Sequence, residues 1–412
     1  MNPIVMRSRV LPFVLSAATI AGTVGASLAT GAAPASATPT ISLQWSQWIP
    51  NGPNGVIAES SPTVATLDGG GPAVLVGDQG GHVYAMHLSN GSEVRGWPAS
   101  TGGVAVDAAP SSTGTSVFVG EGYAGAPTVG GNAKFTAAGG GPVWVQHPTM
   151  IPGSGRAGVQ TGLAIGNLEG QLDVVSGSMG QSSYALNSDV GAVLPGWPFL
   201  DADSNFATPA IADLYSNGHN EVVEGGDSTG NAVARDQLGL PYQNGGHIRV
   251  LSGAGGLLCE YNTNQVVQSS PAVGQFLGSG QVGIVAGTGN FGPYAANSDT
   301  DSLIAVNNRC GHMWTAKLDG NTVSSPALVN ALGGGALQIA EGTAFGTNGT
   351  GSGTVYLING SNGQVIWAAN ALGGILGGVT SVDLGGGYQD IVAATTAGAE
   401  IFDGKTGHVV WQ

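Results

Sequence analysis

The chain is short of charge. Only 8% of its 412 residues are charged, and Lys and Arg together number 10 against 25 acidic residues. So few cations, none of them clustered, argue against a nucleic-acid partner, because neutralising phosphates needs grouped Lys and Arg. They argue equally against an anionic membrane surface. The acidic excess favours solubility and affinity for cations or neutral ligands. Helical periodicity is missing too. Beyond the N-terminal stretch no segment repeats apolar residues at helical spacing, and none is apolar for long enough to span a bilayer. Catalytic motifs are absent as well. The seven histidines (His82, His87, His147, His219, His247, His312 and His408) are scattered, and none lies in a G-x-S-x-G or H-E-x-x-H context.

Glycine is abundant, at 73 residues, and 42% of the chain is hydrophobic. Glycine without a strict three-residue period excludes collagen. Low charge with this apolar content argues against disorder. The remaining reading is many short strands joined by tight turns.

The N-terminus carries Arg7 and Arg9, an apolar stretch from Val10 to about Ala29, and a small-residue end at Ala35-Ser36-Ala37. This is the pattern of a secretory signal peptide. Residues 1–37 are expected to be removed, leaving a secreted, extracellular chain that starts near Thr38. Ser8 splits the two arginines, which favours the general route over the twin-arginine one. A membrane anchor is the competing reading, weakened by the Ser, Thr and Gly interruptions and by the lack of a stop-transfer charge cluster. Loss of both arginines takes the formal charge from −15 to about −17.

From residue 60 onward the chain repeats itself. An anchor tripeptide recurs at Ser60-Ser61-Pro62, Ala108-Ala109-Pro110, Ala207-Thr208-Pro209, Ser269-Ser270-Pro271 and Ser324-Ser325-Pro326, with degenerate copies at Gln160-Thr161-Gly162 and Gly377-Gly378-Val379. The spacing is about 47 to 62 residues, the range of propeller and solenoid repeats. After each anchor come a short apolar stretch, a glycine-rich turn, a β-branched run ending in small residues (Val74-Leu75-Val76-Gly77), a third strand (Val83-Tyr84-Ala85-Met86) and a fourth that carries Trp (Gly363-Gln364-Val365-Ile366-Trp367). Four strands and tight turns make one antiparallel sheet. Such a sheet alone cannot bury both faces, whereas seven stacked about an axis can. The expected fold is all-β, a seven-bladed β-propeller of four-stranded antiparallel sheets over residues 60–412. The small residues ending the second strand are expected at a crowded position. Residues 38–59 form an N-terminal segment in which Leu43-Gln44-Trp45-Ser46-Gln47-Trp48 reads as a further outer strand, a candidate to close the ring by pairing with the last sheet.

These residues resemble two related propeller families. The anchor, turn and β-branched strand, with Gly96-Trp97-Pro98 and Leu194-Pro195-Gly196-Trp197-Pro198, are similar to the FG-GAP (integrin-α-like) repeat. The third and fourth strands resemble the pyrroloquinoline-quinone-type repeat with its docking tryptophan; Phe402-Asp403-Gly404-Lys405-Thr406-Gly407-His408-Val409-Val410-Trp411 is the nearest copy. In that family the tryptophan packs on the turn glycine of the following repeat. Cys259 aligns with the docking Trp314, and Cys310 stands beside the turn glycine Gly311. The resemblance therefore implies a structural disulfide between Cys259 and Cys310 in place of that packing, and an oxidising compartment favours it over two buried thiols.

The resemblance also suggests where chemistry could sit. FG-GAP loops often carry carboxylate-rich calcium sites, and the best copy here offers Asp213, Asn217 and Glu221. Its third position is Tyr215, so an ordinary polar hairpin turn is the preferred reading. Gly287-Thr288-Gly289-Asn290-Phe291-Gly292-Pro293-Tyr294 is similar to a stretch of quinoprotein alcohol dehydrogenases in which the Asn helps to hold calcium. Carried over, this points to Asn290, with Glu224 as the carboxylate. Pyrroloquinoline quinone is nonetheless disfavoured, since those enzymes have eight blades and their catalytic-Asp segment has no match here.

The loops between second and third strands are enlarged in units two, four, five and six. Equivalent loops gather on one propeller face, so Glu121, Tyr123, Glu224, Asp227, Asn290, Phe291, Tyr294, Glu341 and Phe345 are the candidate ligand-binding groups. The opposing reading is glycine-rich insertion without function. The expected function is a monomeric, secreted, non-catalytic propeller that binds an extracellular protein or glycan. The alternative is a quinone- or calcium-dependent oxidoreductase, or another polysaccharide-active extracellular enzyme.

Overall fold

The computed structural model describes residues 41–49, 55–122, 130–149, 157–168, 170–201, 203–228, 245–278, 280–290, 299–344 and 351–412, together with the backbone of the strand Leu15–Ala18. Among these residues there is no helix. The strands form seven four-stranded sheets, antiparallel throughout and in sequence order within each blade. The blades run from Thr63 to Ser100, Ser111 to Gln146, Ala164 to Leu200, Ala210 to Thr263, Ala272 to Lys317, Ala327 to Asn370 and Thr380 to Trp411. First strands touch the first strands of adjacent blades and so lie innermost. This is the expected seven-bladed propeller.

Stacking explains why the second and third strands are apolar without alternation. Val74, Leu75 and Val76 are all buried, because each face of a blade meets a neighbour. Six apolar clusters each join two successive blades. A seventh sets Trp45, Ile49 and Ile57 against Val76, Tyr84 and Met86 of blade one.

The small residues ending the second strand are crowded, as expected, by the chain leading into the next blade. A Cβ on Gly77, Gly225 or Gly342 would lie 2.4–2.6 Å from Val106, Val267 or Ile375, respectively. The anchors have a hydrogen-bonding role. The N–H groups of Gly162, Thr208 and Ser270 donate to the hydroxyls of Thr208, Ser270 and Ser325, linking successive blades near the axis. Gly162 is thus a second anchor residue. Thr161 is a first one, since its hydroxyl accepts from Gly177 N as the Ser60 hydroxyl accepts from Gly77 N. The third anchor is therefore Thr161-Gly162-Leu163, one residue later than the sequence pattern suggests. The missing proline removed the marker that fixes the register elsewhere.

Docking tryptophans hold the periphery. The ring N–H groups of Trp97, Trp144, Trp197, Trp314 and Trp367 donate to Ala137, Ser188, Gly253, Gly360 and Gly404 carbonyls in the following blade. Between blades four and five the tie is the Cys259–Cys310 disulfide, with Cα atoms 5.8 Å apart. Blade one receives Trp45, which donates to Leu88 O at 2.8 Å and lies on Gly91. Leu43–Gln47 pairs with Leu15–Ala18, and Val409–Trp411 completes the seventh sheet, so the pairing expected with the last sheet is not made. The segment acts on blade one through its indole instead.

Since Trp314 lies on Gly363 and, among the described glycines, none meets Trp411, Trp314→Ala is expected to cost about 3–5 kcal/mol and Trp411→Ala under about 1 kcal/mol. Replacing both cysteines by serine is expected to cost about 2–4 kcal/mol. Urea unfolding monitored by circular dichroism checks all three; equal losses for the two tryptophans would refute the docking account.

Candidate functional site

Antiparallel order puts the second-to-third and fourth-to-first connections at one end of every blade, and the first-to-second and third-to-fourth turns at the other. The enlarged connections of blades two, four, five and six therefore share one face. Tyr123, Phe291, Tyr294 and Phe345 lie outside the described residues. The carboxylates expected beside them are not open to solvent: Glu121, Glu224, Asp227 and Glu341 are 2%, 0%, 6% and 0% exposed. Asn290 is exposed, and its amide donates to Asp301 at 3.3 Å.

Each buried acid sits in a blade junction beneath the face. Glu341 accepts from Gly342 N at 2.8 Å and leaves Oε2 without a hydrogen-bond partner. Burial pushes its carboxyl up to about 8. Glu121 Oε1 also lacks a partner, and burial raises this group to about 7. Asp227 accepts from Gln268 Nε2 at 3.1 Å, and burial pushes it up to about 8. Burying a carboxyl disfavours the charged form, so these groups hold their protons past the ordinary range.

Glu224 belongs to the densest polar cluster. Blade four has strands of seven residues at Glu221–Asp227, Gly246–Ser252 and Leu257–Thr263. They carry Glu224, His247, Arg249 and Glu260 toward Ser183 and Asp201 of blade three. Arg249 is wholly buried. Its Nη1 lies 3.0 Å from Asp201 Oδ1 and 3.8 Å from Glu224 Oε1, and its Nε pairs with Glu260. Its guanidinium also rests over the Phe199 ring at 5.4 Å. The Ser183 hydroxyl is 2.9 Å from Asp201 Oδ2 and 2.7 Å from Glu224 Oε2, with one proton for two acceptors. Burial raises the carboxyls of both Asp201 and Glu224. Arg249 opposes the rise in each, and the Asp201 charge adds to it at Glu224. His247 is held well below its usual value, first by burial and then by Arg249, so its ring is neutral at pH 7. One of its nitrogens, Nδ1, is 3.0 Å from Ser228 Oγ, while Nε2 has no partner.

Asp201, His247 and Arg249 carry no motif in the sequence. The one signal is a cation inside the apolar strand Ile248-Arg249-Val250-Leu251, which demands buried counter-charges. Glu224 and Asn290 are not brought together. Glu224 faces blade three, and Asn290 bonds within its own hairpin.

At the candidate calcium loop the oxygens bind the turn's own backbone. Asp213 accepts from Asn217 N and Gly218 N at 3.0 and 2.8 Å, Asn217 from His219 N, and Glu221 from Leu214 N. The Gly218 and Asn217 N–H groups hold the Asp213 carboxyl below its ordinary value. This is the geometry of a polar hairpin turn. Asp173 uses its carboxylate in the same way, accepting from Leu168 N.

No protein-family model matches the chain, and no curated protein matches it. Solved structures do resemble it. A europium-containing methanol dehydrogenase aligns with a TM-score of 0.60 at 12% identity, over 87% of this chain and 78% of that one. The quinohemoprotein alcohol dehydrogenase of Comamonas testosteroni aligns at 0.56 and 14%, over 90% and 70%. BamB of Moraxella catarrhalis aligns at 0.53 and 17%, over 87% and 84%. At such identities the likeness is one of fold.

Two outcomes follow from the buried charges. Glu121, Asp227 and Glu341 keep protons in the folded chain that the unfolded chain releases near its ordinary carboxyl values. Their contribution to stability therefore falls as pH rises from about 5, to about 7 for Glu121 and about 8 for Asp227 and Glu341, by about 1.4 kcal/mol per group for each pH unit. Glu341→Gln should gain on the parent chain across that range in urea midpoint; a difference that does not change with pH would contradict the burial account. Arg249→Met strands Asp201 and Glu224, and is expected to cost about 3–5 kcal/mol in the same measurement.

Proposed function

We propose that the protein is an extracellular binding scaffold, and that it takes a protein or glycan on the face bearing the enlarged connections. The supporting observation is the asymmetry of the ring's two ends. One end is built of short glycine turns occupied by docked indoles, and those turns are committed to holding blades together. At the other, four blades have longer connections in the sequence, and backbone bonds tie the described residues of successive blades. Val106 N donates to Asp78 O, Val159 N to Glu121 O, Asn205 N to Ser178 O, and Thr322 N to Thr288 O. Loops fixed at their bases to a stiff frame bind with little ordering cost. The buried acids stiffen that frame rather than touch the ligand. The net charge favours a neutral or cationic partner.

The reading includes export and a monomeric state. The disulfide supports an oxidising compartment, and the FG-GAP-like anchors are consistent with extracellular use. Replacing residues 123–129 and 229–244 by short Gly-Asn turns tests the face. The parent chain is expected to bind members of a glycan or extracellular-protein array, and the double replacement to lose them with an unchanged melting temperature. Retained binding would move the site elsewhere. In the oxidoreductase alternative, calcium and pyrroloquinoline quinone together would reduce a dye in the presence of alcohols or sugars; no cofactor spectral change is expected.

A further inference from the structure

We propose that Asp201, Glu224 and His247 form a binding site for one divalent transition-metal ion, with zinc the best fit, buried between blades three and four. This site is independent of the ligand-binding face.

Three observations carry it. First, one ligand atom from each of the three residues lies within 4.8 Å of the others, and all three residues are buried. A tetrahedral zinc ion with ligands about 2.1 Å away holds them about 3.4 Å apart, so no pair of the trio needs to close by more than about 1.4 Å. Second, two of the atoms facing this cluster are unsatisfied. Glu224 Oε1 and His247 Nε2 are fully buried and have no hydrogen-bond partner. A buried polar atom without a partner is costly, so its retention calls for an occupant. Third, His247 is oriented as a metal ligand would be. Ser228 Oγ takes up Nδ1 at 3.0 Å, which leaves the Nε2 lone pair for an ion. Gly226 makes room for the ring, since a Cβ there would lie 2.5 Å from Nε2.

Charge agrees. Asp201, Glu224 and Glu260 surround the single guanidinium of Arg249. Glu260 is partly open to solvent, but Asp201 and Glu224 are buried and share that one guanidinium, so a divalent cation would supply the missing positive charge. Sharing one proton between Asp201 and Glu224 through the Ser183 contact does not satisfy His247 Nε2. At Glu224 Oε1 the ion competes only with a long approach of Arg249 Nη1, at 3.8 Å. Imidazole nitrogen with two carboxylates suits zinc or manganese, whereas calcium and magnesium prefer oxygen alone.

The test uses the full folded chain, stripped with EDTA and then offered Zn2+, Mn2+, Co2+ or Ca2+ singly. Elemental analysis after gel filtration is expected to find one Zn2+ per chain, and Zn2+ to raise the melting temperature where Ca2+ does not. Bound Co2+ is expected to develop a visible absorption band. His247→Gln and Glu224→Gln should abolish uptake. Ser228→Ala, which leaves the ligands in place, should weaken it at least about tenfold. If either ligand variant fails to fold, the parent chain and Ser228→Ala still decide the matter. Absence of uptake of Zn2+, Mn2+ and Co2+ by the parent chain would overturn the proposal, as would equal uptake by His247→Gln and Glu224→Gln.

Discussion

An indole lying on a bare glycine holds neighbouring sheets at one spacing, and the ring is built from that contact. On Gly91, Gly191, Gly363 and Gly407 a Cβ would fall 2.6–2.7 Å from Trp45, Trp144, Trp314 or Trp367. Each of these glycines also has a φ near +70°, a conformation that side chains other than glycine's rarely adopt. One residue thus meets two demands, turning the chain and admitting the ring. The indole N–H then satisfies a carbonyl left free by the turn, so the contact orients the blades as well as spacing them. Where the series breaks, at Cys259 and Cys310, a covalent bond takes over the same duty across the same junction.

The fold was legible because its determinants are local and recur. The anchor, the glycine turn, the β-branched strand and the tryptophan each answer a need that arises once per blade. Legibility failed where a copy lost its marker, as at Thr161-Gly162-Leu163, and where a strand's partner lay outside the repeat, as at Leu43–Gln47. The polar junction was harder still. Glu224 was found through its loop, but Asp201 comes from the preceding blade and His247 and Arg249 from the far side of a long connection. No spacing in a linear sequence links these residues. Exposure also could not be read: Glu121 and Glu341 stand at the mouths of enlarged connections, yet both point into junctions.

A chain with so few cations spends one of them wholly inside. Arg249 is out of water, held by three carboxylates and resting on Phe199. In a ring whose other junctions are largely apolar, this one is charged and its strands are longest. The junction between blades three and four therefore differs in chemistry from the other described junctions.

The direction of the docking contacts has a consequence for assembly. Each tie joins positions only 37 to 56 residues apart, from Trp367 with Gly404 to Trp197 with Gly253. A sheet emerging during synthesis can thus be clasped to its predecessor once about 50 further residues exist, without awaiting the rest of the ring. The indole for blade one comes from Trp45, 43 residues ahead of its acceptor, so that dock too is filled locally. Most closed rings depend on their two ends meeting; here the described peripheral ties can each be made in passing, which leaves only the contact between the last and first blades to await the whole chain.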